Sequence, residues 1–438
     1  MKIAVVGLGK LGAPLAAVFA SKGHQVLGID LNPDFVAAIN RGAAPVVEPQ
    51  LQDLIDASAG RLSASTDIAA AASCEATFVI VPTPTDPATG TFTNRYVVEA
   101  MNGLGATLRG KSDYHLVVIT STVMPGSTGG EIREALEQSS GRTIGNDLGL
   151  CYNPEFIALG SVVRNMLYPD FLLVGESDDR AGAMLESIYR SSVNNDAPVR
   201  RMNLVNAELS KISVNTYVTT KISYANMLAD ICERIPGADV DVVAAAIGCD
   251  SRIGHKYLRG SVVGYGGPCF PRDNVAFSAL AHSLGAAPDL AEATDRINDR
   301  QVIRLSDLVL RHLPDGGTVA ILGLSYKPDT AVIEKSQGVM LAARLAERGI
   351  PVAIHDPMAV PDALAALPAT VRGCDTAVQC LDAADVAVVV TPWPDYAALR
   401  PQSLAPRQGR DLTIIDCWRV LPVDEFAEIA TLVHPGKG

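Results

Sequence analysis

Three groups of residues in this chain have types and spacings suited to chemistry. The first surrounds Cys269, in Gly264-Tyr265-Gly266-Gly267-Pro268-Cys269-Phe270-Pro271-Arg272-Asp273. Its glycines leave the backbone open to close approach by another molecule. A thiolate is a strong nucleophile, Arg272 would favour that form, and Asp273 follows one helical turn later. A packed cysteine in a glycine turn explains this segment, taken alone, equally well. The second group is Lys211 with Asn215, one helical turn apart, so that an ammonium and an amide can converge on one oxygen. An exposed helix face is the plain alternative. The third is Gly7-Leu8-Gly9-Lys10-Leu11-Gly12, which matches G-x-G-x-x-G. Gly7 permits the tight turn, Gly9 lets the backbone approach a pyrophosphate, and Gly12 allows close helix–strand packing. The helix that follows offers N–H donors and a positive dipole end. Asp30 is the expected acceptor for the adenosine ribose hydroxyls; a carboxylate there repels the extra phosphate of NADP, so NAD is the cofactor expected. A strand–turn–helix without a ligand is the alternative.

These residues need elements to hold them. Apolar runs at 2–6, 24–30, 76–81, 115–119 and 148–152 read as buried strands, and 14–22 as the first helix. Such alternation predicts a parallel sheet covered by helices. Thr83 and Ser121-Thr122 follow two of these strands and should lie at the same carboxyl edge. From 206 to about 234 few breakers occur, which predicts a helix of roughly 40 Å. Residues 240–313 stay mostly helical around a glycine-rich interruption. A second alternating region follows, with strands expected at 318–322, 351–355, 386–391 and 413–416 and a helix at 336–347. The two α/β halves resemble each other in architecture, without a repeat that can be aligned.

Composition narrows the function. A length of 438 residues suggests two or three domains. With 48% hydrophobic and 19% charged residues the chain is globular. No apolar run is long enough to cross a bilayer, and the N-terminus does not read as a signal peptide, so a cytoplasmic location is expected. The formal charge of −12 repels nucleic acid and anionic membrane, and neither is expected as a partner. The eight cysteines form no CxxC pair, so no metal site is expected, and most should be reduced and packed.

The sequence resembles the UDP-glucose/GDP-mannose dehydrogenase family over nearly its whole length. The likeness rests on the glycine motif at 7–12, Ser121-Thr122-Val123, Asn153-Pro154-Glu155-Phe156, Ala207-Glu208-Leu209-Ser210-Lys211 with Asn215, Asp250-Ser251-Arg252-Ile253-Gly254, the Cys269 loop and Gly323-Leu324-Ser325-Tyr326-Lys327. It implies an α/β fold: two Rossmann-like parallel-sheet domains joined by a long central helix and helical region. The expected boundaries are 1–202 for NAD, 203–312 for a central dimerisation domain and 313–438 for the nucleotide of the sugar. A homodimer or dimer-based oligomer is expected. The implied reaction is the four-electron oxidation of a nucleotide-sugar alcohol to a carboxylate, in which Cys269 forms a thiohemiacetal and then a thioester. Lys211, with Asn215, would stabilise charge on the substrate oxygen, by about 3 kcal/mol if it resembles an oxyanion-hole donor. Asp273 and Glu155 are the candidates for proton transfer, and Thr122 for holding the hydrolytic water. Leu11, Thr83, Thr122 and Lys327 complete the implied cofactor contacts. Glu155, Phe156, Lys211, Asn215, Arg252, Tyr257, Arg259, Gly266 and Lys327 make up the implied substrate contacts, and an arginine like Arg252 can reach the neighbouring subunit's site.

Two positions depart from the family. A second glutamate usual after Asn-Pro-Glu-Phe is Leu159 here, and an arginine usual after Lys327 aligns with Glu334. The segment 250–258 is most similar to UDP-glucose enzymes, and the Cys269 loop lacks the Gly-His-Cys pattern of enzymes for N-acetylated UDP-hexosamines. UDP-glucose is therefore the expected substrate and UDP-glucuronate the product; GDP-mannose and a UDP-N-acetylhexosamine are the alternatives. A β-hydroxyacid dehydrogenase would share the Lys-x-x-x-Asn helix, but stops at one hydride and lacks the second α/β domain. A non-catalytic NAD-binding protein would not need the set Lys211, Asn215, Cys269 and Asp273.

Overall fold

The short apolar runs become strands whose alternate residues feed two layers of core. In a computed structural model describing residues 1–157, 159–261, 263–404 and 411–438, the chain divides into two units, Met1–Ser213 and Val214–Gly438. The first unit holds β1 (Lys2–Val6), β2 (Gln25–Ile29), β3 (Leu62–Ser65), β4 (Ala76–Val79), β5 (His115–Ile119), β6 (Leu148–Tyr152), β7 (Leu172–Glu176) and β8 (Val199–Asn203). They form one sheet in the order 3-2-1-4-5-6-7-8. Ile3, Val5, Phe78, Leu116 and Val118 face one layer, with Phe19 of the helix Gly12–Ser21. Ala4, Val6, Val79, Val117 and Ile119 face the other, with Met101 and Leu104 of the helix Arg95–Leu108. This period of two is what a strand buried on both faces requires.

The second unit holds β9 (Val319–Leu322), β10 (Val352–His355), β11 (Arg372–Gly373), β12 (Val386–Val389), β13 (Thr413–Asp416) and β14 (Thr431–Val433). Their order is 11-10-9-12-13-14, with every pair parallel. Renumbered within its own sheet this is 3-2-1-4-5-6, the order of the first six strands of the other sheet and of a dinucleotide-binding fold. The two Rossmann-like halves are therefore present. One correction concerns direction: β7 pairs antiparallel with β6, through Cys151↔Glu176 and Tyr152↔Gly175, and β8 runs parallel to β7. The link from β6 to β7 contains only the short helix Val162–Leu167 and reverses the chain, whereas β7 and β8 are joined across the full helix Asp179–Arg190.

The long segment expected at 206–234 is the helix Leu204–Cys232, 29 residues and about 44 Å long. Its residues up to Ser213 count with the first unit and the rest with the second. The helices Val240–Gly248, Phe270–Ser283 and Asp289–His312 follow it. Among the described residues no helix is long and apolar enough to cross a membrane.

Candidate active site

The N-terminal glycine turn has the steric character its sequence predicts. Gly7 adopts φ +96°, and a Cβ on it would lie 2.3 Å from the Ile80 carbonyl oxygen beyond β4. A Cβ on Gly12 would lie 1.8 Å from the Gly7 carbonyl oxygen, so the helix packs on the turn with no room for a side chain. A Cβ on Gly9 would meet nothing within 4 Å, leaving an open approach to the backbone at the start of the helix. Leu11 is the residue preceding that helix. Asp30, at the end of β2, accepts the Leu8 N–H at 2.6 Å on one oxygen and the Asn32 N–H at 2.8 Å on the other. Thr83 donates its hydroxyl to the Thr122 carbonyl at 2.7 Å, and Ser121 bonds Val81 in both directions, so both loops lie at one edge of the sheet. The donors, the open face at Gly9 and the held carboxylate fit a dinucleotide.

At the end of β6 the chain turns through Asn153, whose N–H bonds the Ile119 carbonyl at 2.9 Å and whose amide donates to Leu173 at 2.8 Å. This sets Glu155 and Phe156. Lys211 is buried, donates to the Glu155 carbonyl oxygen at 2.7 Å and carries its ammonium 4.8 Å from the centre of the Phe156 ring. The Glu155 carboxyl is pushed up to about 7: burial raises it most, while the Lys211 charge and the Tyr189 hydroxyl hold it down. Although Glu155 keeps some contact with solvent by surface area, the dense protein around its carboxylate governs its titration.

In the second unit Cys269 is the exposed N-cap of the helix Phe270–Ser283, where an anion faces the positive end of the helix. One turn on, Asp273 is 1% exposed and accepts the Asn215 amide at 2.6 Å on one oxygen and Arg272 at 3.2 Å on the other. The glycines ahead of Cys269 make room for backbone. A Cβ on Gly266 would lie 2.4 Å from the Lys335 carbonyl oxygen, and one on Gly267 would lie 2.6 Å from the Tyr326 ring. Gly267 N–H also bonds the Glu334 carbonyl at 2.8 Å. The Cys269 loop is thus braced by the 326–335 loop that contains Lys327. Glu334, where the family usually has an arginine, braces it through its backbone, and its side chain is exposed.

The other expected substrate residues are less concentrated. Arg259 donates to the Trp418 carbonyl at 2.6 Å and lies over its ring. Tyr257, at φ +64°, meets Phe270 edge-on. The Arg252 side chain is 86% exposed and pairs with Asp250 at 2.6 Å. Leu159 packs against the apolar core of the first unit, so no carboxylate stands at that position. Of the other seven cysteines six are buried and Cys249 is exposed; buried Cys374 has an Arg372 nitrogen 3.8 Å from its sulfur. Among the described residues no cluster of three or more His, Cys, Asp or Glu side chains forms that could hold a metal ion.

Several supporting residues were given no role from the sequence. Buried Glu208 accepts the Gly126 and Thr128 N–H groups at 2.6 and 2.7 Å, which holds the turn after Thr122. Glu48 accepts Gly160 and Val162 at 3.1 and 2.7 Å and ties down the segment after Glu155. Tyr189 bonds both Asn153 and Glu155. In the second sheet Asp356 accepts Leu324 N–H at 2.8 Å and Ser325 N–H at 3.0 Å. The signals available were the motif that contains Glu208 and, for Asp356, its position after the second strand of an α/β half, equivalent to that of Asp30.

A repeated dinucleotide-type fold, with a glycine turn and a strand-end carboxylate in one unit and a cysteine at a helix N-terminus in the other, fits a nucleotide-dependent oxidoreductase. The chain belongs to the UDP-glucose/GDP-mannose dehydrogenase family: its NAD binding domain model matches residues 1–193, its central domain model 205–300 and its UDP binding domain model 320–423. It is an NAD-dependent oxidoreductase of nucleotide sugars. It is 38% identical, over 99% of this chain and 100% of the relative, to the UDP-glucose 6-dehydrogenase AglM of Haloferax volcanii. It is 32% identical to the GDP-mannose 6-dehydrogenase of Azotobacter vinelandii, over 81% of each chain. A solved UDP-glucose dehydrogenase from Pyrobaculum islandicum has a TM-score of 0.88 and 34% identity, covering 100% of this chain and 98% of that one.

Proposed function

We propose that the protein oxidises the C6 alcohol of UDP-glucose to the carboxylate of UDP-glucuronate, through a thiohemiacetal and a thioester on Cys269. The observation that carries this reading is the placement of Cys269 at a helix N-terminus, one turn from the buried Asn215–Asp273 pair. A dehydrogenase that stops at the aldehyde has no need of such a thiol. NAD, when bound at the 7–12 turn, takes up the hydride released in each of the two oxidations. The first oxidation converts the alcohol to the aldehyde. Cys269 Sγ then adds to the aldehyde carbon, and the thiohemiacetal oxygen takes up a proton. The second oxidation removes the hydrogen from that carbon and the proton from its oxygen, leaving the acyl group on sulfur. Water attacks the acyl carbon, its two protons pass by way of Glu155 to solvent, the C–S bond breaks, and the thiolate and a carboxylate result.

In this reading Lys211 stabilises charge on the substrate oxygen, and Asn215 orients Asp273. Glu155 transfers protons near neutrality, a role its position close to pH 7 suits. Thr122 holds the hydrolytic water. Residues 1–202 serve the cofactor, 203–312 the subunit contact and 313–438 the nucleotide of the sugar, with Arg259 and Lys327 as cationic contacts. The preference for glucose is supported by full-length likeness to a UDP-glucose enzyme, against the partial cover of the GDP-mannose enzyme. Exposed Tyr217, Tyr224, Met227 and Ile231 on the long helix support a homodimer, in which Arg252 serves the neighbouring site.

The test supplies UDP-glucose, GDP-mannose and a UDP-N-acetylhexosamine with NAD and counts NADH per sugar. Two NADH from UDP-glucose, with poor turnover of the others, is expected. One NADH per sugar refutes the four-electron reading, and preference for another sugar refutes the substrate. Cys269→Ser should abolish acid formation while NAD still binds; undiminished acid refutes the covalent route.

A further inference from the structure

Glu155 shares a single phenolic proton with the buried Asn153 amide. Tyr189 stands on the helix Asp179–Arg190, 5% exposed, with its ring centre 5.9 Å from that of Phe19 and 6.3 Å from that of Phe78. The two rings fix its direction. Its hydroxyl lies 2.5 Å from Asn153 Oδ1 and 3.4 Å from Glu155 Oε1. The Asn153 amide cannot turn away, because its Nδ2 is engaged by the Leu173 carbonyl at 2.8 Å. Oδ1 therefore always asks for the tyrosine proton.

A phenol has one proton and lone pairs on its oxygen. When Glu155 is protonated the demands agree: Tyr189 donates to Asn153 and accepts from the glutamic acid. When Glu155 ionises they conflict. The tyrosine proton must turn towards the carboxylate and leave a buried Asn153 oxygen unsatisfied, or stay and leave the carboxylate facing a lone pair. Either outcome leaves a buried polar group without its partner, which disfavours the ionised state. We infer that Tyr189 is a positioning residue for proton transfer by Glu155: its one proton, contested by Asn153, holds the carboxyl in place and links its protonation to a buried hydrogen bond. The titratable groups acting on the Glu155 carboxyl are Tyr189, from the helix Asp179–Arg190, and Lys211, from the helix Leu204–Cys232. The inference rests on Glu155 as the proton-transfer group.

The experiment follows the protonated carboxyl band of Glu155 by infrared difference spectroscopy across pH in the full-length protein, with Glu155→Gln to assign the band. Tyr189→Phe keeps the ring and removes the hydroxyl that, among the described residues, donates to the carboxylate, so the midpoint of the band should rise by about one pH unit, a tenfold change in proton affinity. Asn153→Leu frees the tyrosine proton for Glu155, so the midpoint should fall. In the Tyr189→Phe background the Asn153 change should leave the midpoint where it is. The acidic limb of the kcat/KM profile should move with the band. An unmoved midpoint in Tyr189→Phe overturns the inference, even if Asn153→Leu does not fold. An Asn153 effect of equal size with and without the hydroxyl also overturns it. If Glu155→Gln keeps full activity, the role of Glu155 fails while the band still reports whether Tyr189 acts on it.

Discussion

Ionised Glu155 should cost the protein stability above neutral pH, and Glu155→Gln measures how much. Its carboxyl is raised from an ordinary 4.5 to about 7, with burial as the largest cause. Below about pH 4.5 the residue is neutral in both folded and unfolded chains and contributes no difference. Between that point and about pH 7 the unfolded chain releases the proton while the folded chain keeps it, so stability falls as pH rises. Above about pH 7 both forms are ionised and the full penalty persists. The span is about 2.5 pH units, and each is worth about 1.4 kcal/mol, so the ceiling is about 3.5 kcal/mol. Solvent contact at Glu155 screens part of it, leaving about 1–3 kcal/mol. Glutamine has nearly the same shape and no charge. Urea denaturation of the two proteins at a series of pH values should show little difference near pH 4.5, and Glu155→Gln more stable by about 1–3 kcal/mol near pH 8. A gap that does not change with pH, or a wild type that is the more stable protein near pH 8, refutes the assignment of a desolvated carboxylate.

The glycine turn separates a folding requirement from a binding one. Gly12→Ala places a methyl 1.8 Å from the Gly7 carbonyl oxygen, so it should lower thermal stability as well as NAD binding, whereas Gly9→Ala meets no protein atom and should weaken NAD binding with the melting temperature unchanged; calorimetry and NAD titration check both, and equal loss of stability in the two would refute the distinction. The exposed residues Tyr217 and Tyr224 should lie in a subunit contact, so Tyr217→Lys with Tyr224→Lys should shift a sedimenting dimer to monomer, and a wild type that sediments as a monomer at micromolar concentration would refute the dimer.

What was legible in the sequence follows the range of the interactions. The glycine turn could be read because each glycine answers a local steric demand, at Gly7 for φ and at Gly12 for contact with the turn itself. Cys269 with Asp273, and Lys211 with Asn215, could be read because helical spacing alone sets them one turn apart. The supporting shell could not. Glu208 reaches back 82 residues to Gly126, Glu48 reaches forward 112 to Gly160, and Tyr189 meets Glu155 across 34. No local pattern marks a carboxylate whose partners are distant backbone N–H groups. Strand direction was also hidden: Leu172-Leu173-Val174-Gly175-Glu176 is apolar enough to be a strand, but the same residues would fit either direction beside β6. Edge strands such as Leu62-Ser63-Ala64-Ser65 and Val199-Arg200-Arg201-Met202-Asn203 escaped because they are bordered by water and need no continuous apolar run.

The two halves also explain each other. Gly323 repeats Gly7: its N–H bonds the carbonyl at the end of the neighbouring strand, and a Cβ would lie 2.4 Å from Thr391 N beyond β12. Gly338 repeats Gly12, with a Cβ 2.0 Å from the Gly323 carbonyl oxygen. Asp356 stands where Asp30 stands. A carboxylate offers about four lone-pair sites. Among the described residues Asp30 has two of them taken, by Leu8 and Asn32 N–H groups, which leaves two open. Asp356 Oδ2 receives Leu324 N–H, Ser325 N–H, the Ser325 hydroxyl and the Trp393 indole, while Oδ1 receives Met358 and Ala359 N–H groups. Those donors saturate it. In addition, Ser325 follows Gly323 by two residues as Gly9 follows Gly7, and its hydroxyl accepts the Trp393 indole N–H at 3.2 Å. The second turn therefore keeps the glycine geometry of a dinucleotide cradle but has spent its strand-end carboxylate on its own fold, whereas the carboxylate of the first turn keeps acceptor sites open.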